Sequence, residues 1–277
     1  MRSKSNENRN ESTRNPLSIQ RKGYFCARKP NNTHKKMRQM KTWKYLSTVC
    51  ISVCTTLLVV LACGSDDPKS QPNETMPDDF VVVAEFIPYV IQEIRYHSTY
   101  NFVGTRITGY EAPISILTRK AAEALKAVSD DVMAQGYRLK IYDAYRPQCA
   151  VDHFVRWAED VDDTRMKAYF YPDVPKSELF VREYIMAHSG HTRGSTVDLT
   201  LFDMQTGKEL DMGGPFDWFG ELSHPDYQAI TVEQKANRLI LREAMLRHGF
   251  KPLDSEWWHF TLKDEPYPDT YFNFPIK

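Results

Sequence analysis

Residues 189–201 read Ser-Gly-His-Thr-Arg-Gly-Ser-Thr-Val-Asp-Leu-Thr-Leu. From position 196 onward polar and apolar residues alternate, which is the period of a half-buried β-strand. Asp198 lies on the polar face, where a carboxylate is costly to bury unless a positive partner meets it. His191 is the nearest candidate partner, because Gly190 and Gly194 allow a tight loop to return its imidazole to the carboxylate. Such a pair also occurs without any metal, so by itself it does not define a site.

A second group of candidate ligands lies at residues 256–260, Glu-Trp-Trp-His-Phe. In an extended strand the imidazole of His259 can face the same cleft as Asp198. In the same strand Glu256 would point to the opposite face, so we expect it in the turn before the strand. There it would contact the ion that His259 binds without being a ligand itself. His191, Asp198 and His259 would make a zinc site with an open fourth position, the arrangement of catalytic rather than structural zinc.

Two alternatives remain open at these positions. His188 lies three residues before His191 and is a competing ligand, so the sequence allows a different triad. Glu256 would be a solvated turn residue if His259 did not follow it three positions later.

Arg146 precedes the proline that ends the motif at residues 142–147, Tyr-Asp-Ala-Tyr-Arg-Pro. Proline disfavours helical geometry in the residue before it, so Arg146 is expected in an extended segment where active-site loops gather. An arginine paired with a surface carboxylate is the alternative interpretation.

The N-terminal region is strongly basic, unlike the rest of the chain. Residues 1–45 carry thirteen Lys or Arg against two Glu, whereas the whole chain has 36 basic and 36 acidic residues. The remainder is therefore acidic, which excludes a basic surface for nucleic acid. Residues 1–39 have the composition of a disordered basic extension, unless translation begins at Met37 or Met40.

Residues 40–63 have the form of a signal peptide, with a short basic start and an uncharged apolar run over 46–62. The small residue before Cys63 resembles the lipobox of bacterial lipoproteins, which predicts a lipidated Cys63. An uncleaved membrane anchor is the alternative. Either segment would place the folded part in the cell envelope, on the periplasmic side of the cytoplasmic membrane.

Residues 64–79 are Ser, Asp, Pro and Asn with little apolar character, which is typical of a flexible tether. Residues 80–277 are expected to form one domain. Its single cysteine, Cys149, excludes a disulfide within it.

Local signals within this domain predict both helices and strands. A helix capped by Thr118 is expected to end at Gly136 and to be followed by a strand over 137–144. Further helices are expected over 148–158 and 232–248, the last opening with a capping box. The strand carrying His259 should follow it at once. This order predicts an α+β fold with a mainly antiparallel sheet and flanking helices.

Several of these motifs resemble a known family. Ser189, His191, Gly194 and Asp198, followed by Glu256 and His259, look like the zinc signature of D-alanyl-D-alanine metallopeptidases, whose fold is shared with the hedgehog amino-terminal domain. A more specific resemblance, over residues 80–277, is to D-Ala-D-Ala dipeptidases of the vancomycin-resistance type. It is carried by the motifs at 142–147, 212–217, 256–259 and 264–275.

The resemblance implies a role for each matching residue. His191, Asp198 and His259 would hold one zinc ion, with Glu256 as catalytic base and Arg146 stabilising the transition state. For the substrate ammonium group it implies Ser189 and Asp217, and for the pocket wall it implies Tyr96. The alternative for Asp217 is a residue that caps the turn after residues 213–215.

The expected activity is hydrolysis of D-Ala-D-Ala to two D-alanines. The resistance enzymes act in the cytoplasm without such a leader, so the expected role is scavenging of dipeptide released from peptidoglycan. The alternatives are a zinc D,D-carboxypeptidase acting on longer wall peptides and a non-catalytic, zinc-stabilised binding module. The sequence identifies no protein partner.

Overall fold

The computed structural model describes residues 74–277. The predicted extension, the signal peptide with Cys63 and the first part of the predicted tether lie outside the described residues. Residues 74–79, also assigned to the tether, contact the folded part. The backbone N–H of Asn273 donates to Glu74 at 2.7 Å. Within the described range no helix has the length and apolar composition needed to cross a membrane.

Eight strands occur in residues 74–277. They are β1 (Phe80–Val82), β2 (Ile91–Gln92), β3 (Ile116–Thr118), β4 (Tyr137–Asp143), β5 (Thr196–Asp203), β6 (Lys208–Glu209), β7 (Phe250–Leu253) and β8 (Glu256–Leu262). Six of them form the main sheet in the order β2-β4-β5-β8-β7, with β6 paired to β5. Only the β2–β4 pairing in it is parallel. β1 and β3 form a separate antiparallel pair.

Five α-helices accompany these strands in the same range. They are α1 (Val83–Phe86), α2 (Arg119–Ala134), α3 (Gln148–Glu159), α4 (Lys167–Phe170) and α5 (Val232–Arg247). Helix α2 packs against β4 and against α5, and α5 packs against β7. The predicted α+β class, with a mainly antiparallel sheet and flanking helices, is therefore confirmed.

The helix boundaries follow the predicted local signals. Thr118 Oγ1 accepts a hydrogen bond from the N–H of Ala121 at 3.4 Å and caps α2. At the start of α5, the side chain of Thr231 accepts from the N–H of Gln234 at 3.1 Å, and the Gln234 side chain accepts from the N–H of Thr231 at 2.8 Å. This is the predicted capping box.

Three sequence-based expectations about the sheet and the loop carrying His191 were wrong. Strand β7 lies between α5 and the strand carrying His259, which was expected to follow directly. The predicted half-buried strand, β5, is instead buried on both faces, with Asp198 2 % and Leu199 0 % exposed. The polar face is covered because the loop carrying His191 folds back over it. Gly190 does not need an unusual backbone angle, since its φ is not positive.

Gly194, in contrast, has a φ of +79°. A Cβ at this position would lie 2.2 Å from Cε1 of Phe80, so a larger residue would both strain the backbone and clash with β1. The same glycine accepts a hydrogen bond from the N–H of Thr118 at 2.7 Å. This residue therefore fixes the end of the loop that carries His191.

Candidate active site

His191 lies in a short 3-10 turn, Gly190–Arg193, and is 1 % exposed. Its Nδ1 lies 2.7 Å from the carbonyl oxygen of Ala144. A carbonyl oxygen can only accept, so Nδ1 carries the proton and donates it. Nε2 therefore keeps its lone pair and faces Asp198 Oδ2 at 3.2 Å. Burial lowers the pKa of His191, which favours the neutral imidazole that binds metals.

Strand pairing places the other two predicted ligands beside it. Asp198 on β5 is directly opposite His259 on β8. Nδ1 of His259 lies 3.0 Å from Asp198 Oδ1 and 3.3 Å from Nε2 of His191. One ligand atom from each of the three side chains lies within 4.8 Å of the others. The structure therefore brings the predicted triad together from one loop and two strands.

The three donor atoms fit a divalent cation. Asp198 Oδ1 is buried, and among residues 74–277 it has no hydrogen-bond partner of acceptable geometry. Burial would raise the pKa of Asp198, but the nearby His191 and His259 outweigh it and lower that pKa. An ionised carboxylate with an unsatisfied oxygen beside two imidazole nitrogens is costly without a cation. His188 is not part of this group; it is exposed, and its ring lies 4.6 Å from that of Tyr271.

Glu256 is the first residue of β8 rather than a residue of the preceding turn. Its Oε2 lies 3.5 Å from Nδ1 of His259, and its side chain is 30 % exposed. A regular strand would point residues 256 and 259 to opposite faces. The hairpin is irregular here, because Pro252 pairs with Phe260 whereas the next residue of β7 already pairs with Glu256. This bulge turns Glu256 toward the cluster, where burial and then Asp198 keep its pKa raised even though His259 opposes them.

Arg146 is held by hydrogen bonds at both ends of its guanidinium. Nε and Nη2 each lie 2.9 Å from Oδ2 of Asp143, and Nη1 donates to Ser189 Oγ at 3.4 Å. Nη2 is also 3.8 Å from Asp198 Oδ2. The guanidinium lies over the rings of Tyr96 and Phe154, at 5.0 Å and 5.2 Å from their centroids. It is therefore a fixed positive charge beside the candidate metal ligands.

Asp143 is a site residue that the sequence reasoning did not single out. It is fully buried and pairs with Asp198 across β4 and β5, next to a register shift in β4. Burial raises the pKa of its carboxyl group, although Arg146 opposes this effect. A sequence signal for Asp143 was present, since it is an aspartate at the end of a predicted strand, as Asp198 is an aspartate within β5.

The residues implied for substrate binding lie in two places. Ser189 borders a cavity of about 240 Å³ that also contacts Arg146, Glu256 and His259. Tyr96 and Asp217 do not border this cavity, although the ring of Tyr96 lies against the guanidinium of Arg146, which does. The Tyr96 hydroxyl donates to both oxygens of Asp217, at 3.0 and 3.2 Å. Asp217 is 7 % exposed with a φ of +62°, and burial together with Asp198 raises its pKa well above the usual range.

The cavity and the cluster together allow hydrolytic chemistry. A metal at the triad would lie within reach of Glu256, a carboxylate that is near it but not among the three ligands. Arg146 supplies a positive charge, with Nη2 3.8 Å from Asp198 Oδ2. An unligated acid, an open metal position and a fixed cation are the parts needed to attack an amide with water.

Comparison with known proteins agrees with this chemistry. The model of a family described as D-ala-D-ala dipeptidase matches residues 76–277. A D-alanyl-D-alanine dipeptidase of Streptomyces coelicolor is 42 % identical over 201 residues, covering 73 % of this chain and 100 % of that protein. The corresponding protein of Enterococcus faecalis is 40 % identical with the same coverage. One from Escherichia coli is 33 % identical over 66 % of this chain and 84 % of its own.

Proposed function

Because the chain belongs to the D-ala-D-ala dipeptidase family, we propose that it is a zinc metallopeptidase that hydrolyses D-Ala-D-Ala to two D-alanines. The observation that carries this proposal is the convergence of His191, Asp198 and His259 within 4.8 Å, with Glu256 beside them. Nitrogen and carboxylate donors in this number are those of catalytic zinc. Bound zinc would supply a Lewis acid that lowers the pKa of a water molecule.

The side chains of this protein account for the remaining steps. Glu256 accepts the proton of the attacking water and returns it to the leaving amine, for which its position 3.5 Å from His259 suits it. As the amide is attacked, its oxygen gains negative charge, and Arg146 is the cation positioned to stabilise that charge. Nε and Nη2 of Arg146 are engaged by Asp143, and Nη1 donates one N–H to Ser189, so its second N–H is the donor proposed for the substrate oxygen.

Asp217 is proposed to hold the substrate ammonium group, with Ser189 as a second acceptor. Within residues 74–277 its two carboxylate oxygens accept from a single donor, the Tyr96 hydroxyl, although a carboxylate can accept several hydrogen bonds. Burial raises the pKa of Asp217, and an ammonium group bound beside it would stabilise the ionised form and pair with it. Tyr96 would orient the carboxylate from behind.

The direct test is hydrolysis by purified protein whose metal content has been measured. We expect about one zinc per chain, release of D-alanine from D-Ala-D-Ala, loss of activity with a chelator and recovery with added zinc. A longer wall peptide with the same terminus should not be cleaved. Cleavage of the longer peptide but not of the dipeptide would show a D,D-carboxypeptidase, and full metal content with no cleavage of either would contradict the proposal.

The same assay tests Asp217. N-acetyl-D-Ala-D-Ala lacks the ammonium group, so wild-type protein should strongly prefer the free dipeptide. Asp217→Asn removes the negative charge with almost no change in shape, and it should lose most of this preference. Equal discrimination by the two proteins would rule out Asp217 as the ammonium site.

We further propose that the protein is lipid-anchored through Cys63 in the cell envelope and acts on dipeptide released from peptidoglycan. The support is the apolar run at 46–62 that ends before Cys63. Wild-type protein should fractionate with membranes and carry lipid on Cys63 by mass spectrometry, whereas Cys63→Ser should not be lipidated. Recovery of unmodified wild-type protein in the cytoplasm would contradict this localisation.

A further inference from the structure

We propose that Tyr110 is a positioning residue for the reaction, because it holds Asp143 in the orientation that fixes Arg146 beside the metal ligands. This inference rests on the proposed function for the role of Arg146. It assigns a task to a side chain that neither binds metal nor borders the cavity.

The first link is a short hydrogen bond between buried groups. The hydroxyl of Tyr110 donates to Oδ1 of Asp143 at 2.6 Å, and the two residues are 1 % and 0 % exposed. Hydrogen bonds between buried groups, one of them a carboxylate paired with a guanidinium, are among the stronger ones in proteins. The orientation of the carboxylate is therefore set by Tyr110 at one oxygen and by Arg146 at the other.

The second link runs from Asp143 to Arg146. Oδ2 of Asp143 accepts from Nε and from Nη2, each at 2.9 Å. The distance from Nη2 to Oδ2 of Asp198 is longer, 3.8 Å. Two carboxylates therefore attract one guanidinium, and Asp143 holds it more closely. If Asp143 rotated, Arg146 could move toward Asp198, and Nη1 would leave its place beside Ser189.

Tyr110 is itself fixed from a distant part of the chain. It forms an isolated parallel bridge with Ile276, whose N–H donates to the carbonyl of Gly109 at 2.9 Å. Gly109 has a φ of +88°, and a Cβ there would lie 2.6 Å from Cγ of Pro147, the residue after Arg146. The ring of Tyr110 also packs edge-on against Tyr96 at 5.6 Å. The Tyr110 hydroxyl is therefore positioned by a segment that is hydrogen-bonded to Ile276 and packs against Pro147, next to Arg146.

Tyr110→Phe removes only the hydroxyl and keeps the ring packing. Because one hydrogen bond to a charged group is lost, kcat for D-Ala-D-Ala should fall by about tenfold. KM should change by less than about twofold, since an interaction made mainly in the transition state affects kcat. Tyr171→Phe is the matched control: Tyr171 is 0 % exposed, its hydroxyl donates to the carbonyl of Asp163 at 3.4 Å, and it should retain normal kcat.

A double-mutant cycle separates positioning from a general loss of stability. If Tyr110 acts through Arg146, Tyr110→Phe should lower kcat by less than about twofold when Arg146→Ala is already present. A full tenfold loss in that background would overturn the proposal. So would a wild-type kcat in Tyr110→Phe alone, or an equal loss in the Tyr171→Phe control.

A readout independent of hydrolysis distinguishes this inference from the proposed function. In the metal-loaded, arginine-labelled protein, the Nε–H resonance of Arg146, identified by its absence in Arg146→Lys, should shift in Tyr110→Phe and not in Tyr171→Phe. An unchanged resonance would overturn the positioning role whatever the activity. A shifted resonance in a protein that does not cleave D-Ala-D-Ala would leave the positioning role standing and remove the proposed function.

Discussion

Glu256→Gln is expected to lower kcat by about 10²- to 10⁴-fold, the contribution of a general acid–base group. The amide keeps the size of the carboxylate, but it replaces one acceptor oxygen by an NH2 donor and cannot accept the proton of the attacking water. Because Glu256 is not one of the three converging ligands, zinc content by elemental analysis should stay at the wild-type value. KM should change little, since the substrate is still bound.

Glu183→Gln is the matched control for this substitution. Glu183 also borders the cavity, but it is not among the groups in contact with His259. Its neutralisation should leave kcat within about twofold of wild type, as for surface changes away from the chemistry. A Glu256→Gln protein with full metal content and more than a tenth of normal turnover would exclude Glu256 as the base.

Arg146→Ala is expected to lower kcat by about 10²- to 10³-fold, the loss that follows removal of one oxyanion-stabilising group. It should also lower the melting temperature, because Asp143 is fully buried and would lose its charged partner. Arg146→Lys keeps the charge but cannot form the two-pronged contact with Asp143. Its kcat should therefore lie between those of wild type and Arg146→Ala.

Arg193→Ala is the control that separates a loss of turnover from a loss of stability. Arg193 also makes a two-pronged contact with a carboxylate, donating to Glu265 at 2.8 and 2.9 Å, but it does not border the cavity. This substitution should lower the melting temperature and leave kcat close to normal. If Arg146→Ala and Arg193→Ala lost turnover in proportion to stability alone, Arg146 would have no part in the chemistry.

Elements whose signals are local were predictable from the sequence. Helix α2 was predicted from the cap at Thr118 and the glycine at 136, and α5 from its capping box. Strand β7 was not predicted, because it is only four residues long and contains Pro252. A proline is tolerated there because β7 is the edge strand of the sheet, and edge position is a property of the whole sheet.

The candidate site also has some contacts that the sequence predicts and others that depend on strand pairing. The sequence could pair His191 with Asp198 because a short loop and a strand connect them. It could not show that Asp143 completes a row with Asp198 and His259 across three strands, since that row depends on the register of β4, β5 and β8. The bulge that turns Glu256 toward His259 reverses the parity expected for a regular strand, and only the pairing of β7 with β8 reveals it.

The amino-acid sequence by itself determined the ligand types, the α+β class and the positions of the capped helices, because each depends on residues near one another in the chain. The tertiary structure decided which groups meet. It brings Glu256 to His259, and it brings Arg146 and the hydroxyl of Tyr110 to the buried carboxylate of Asp143. Glu256 and His259, like Arg146 and Asp143, are close in the chain, but the Tyr110–Asp143 and Tyr96–Asp217 hydrogen bonds join residues 33 and 121 positions apart. Strand register and burial, rather than local propensity, bring such distant groups to hydrogen-bonding distance.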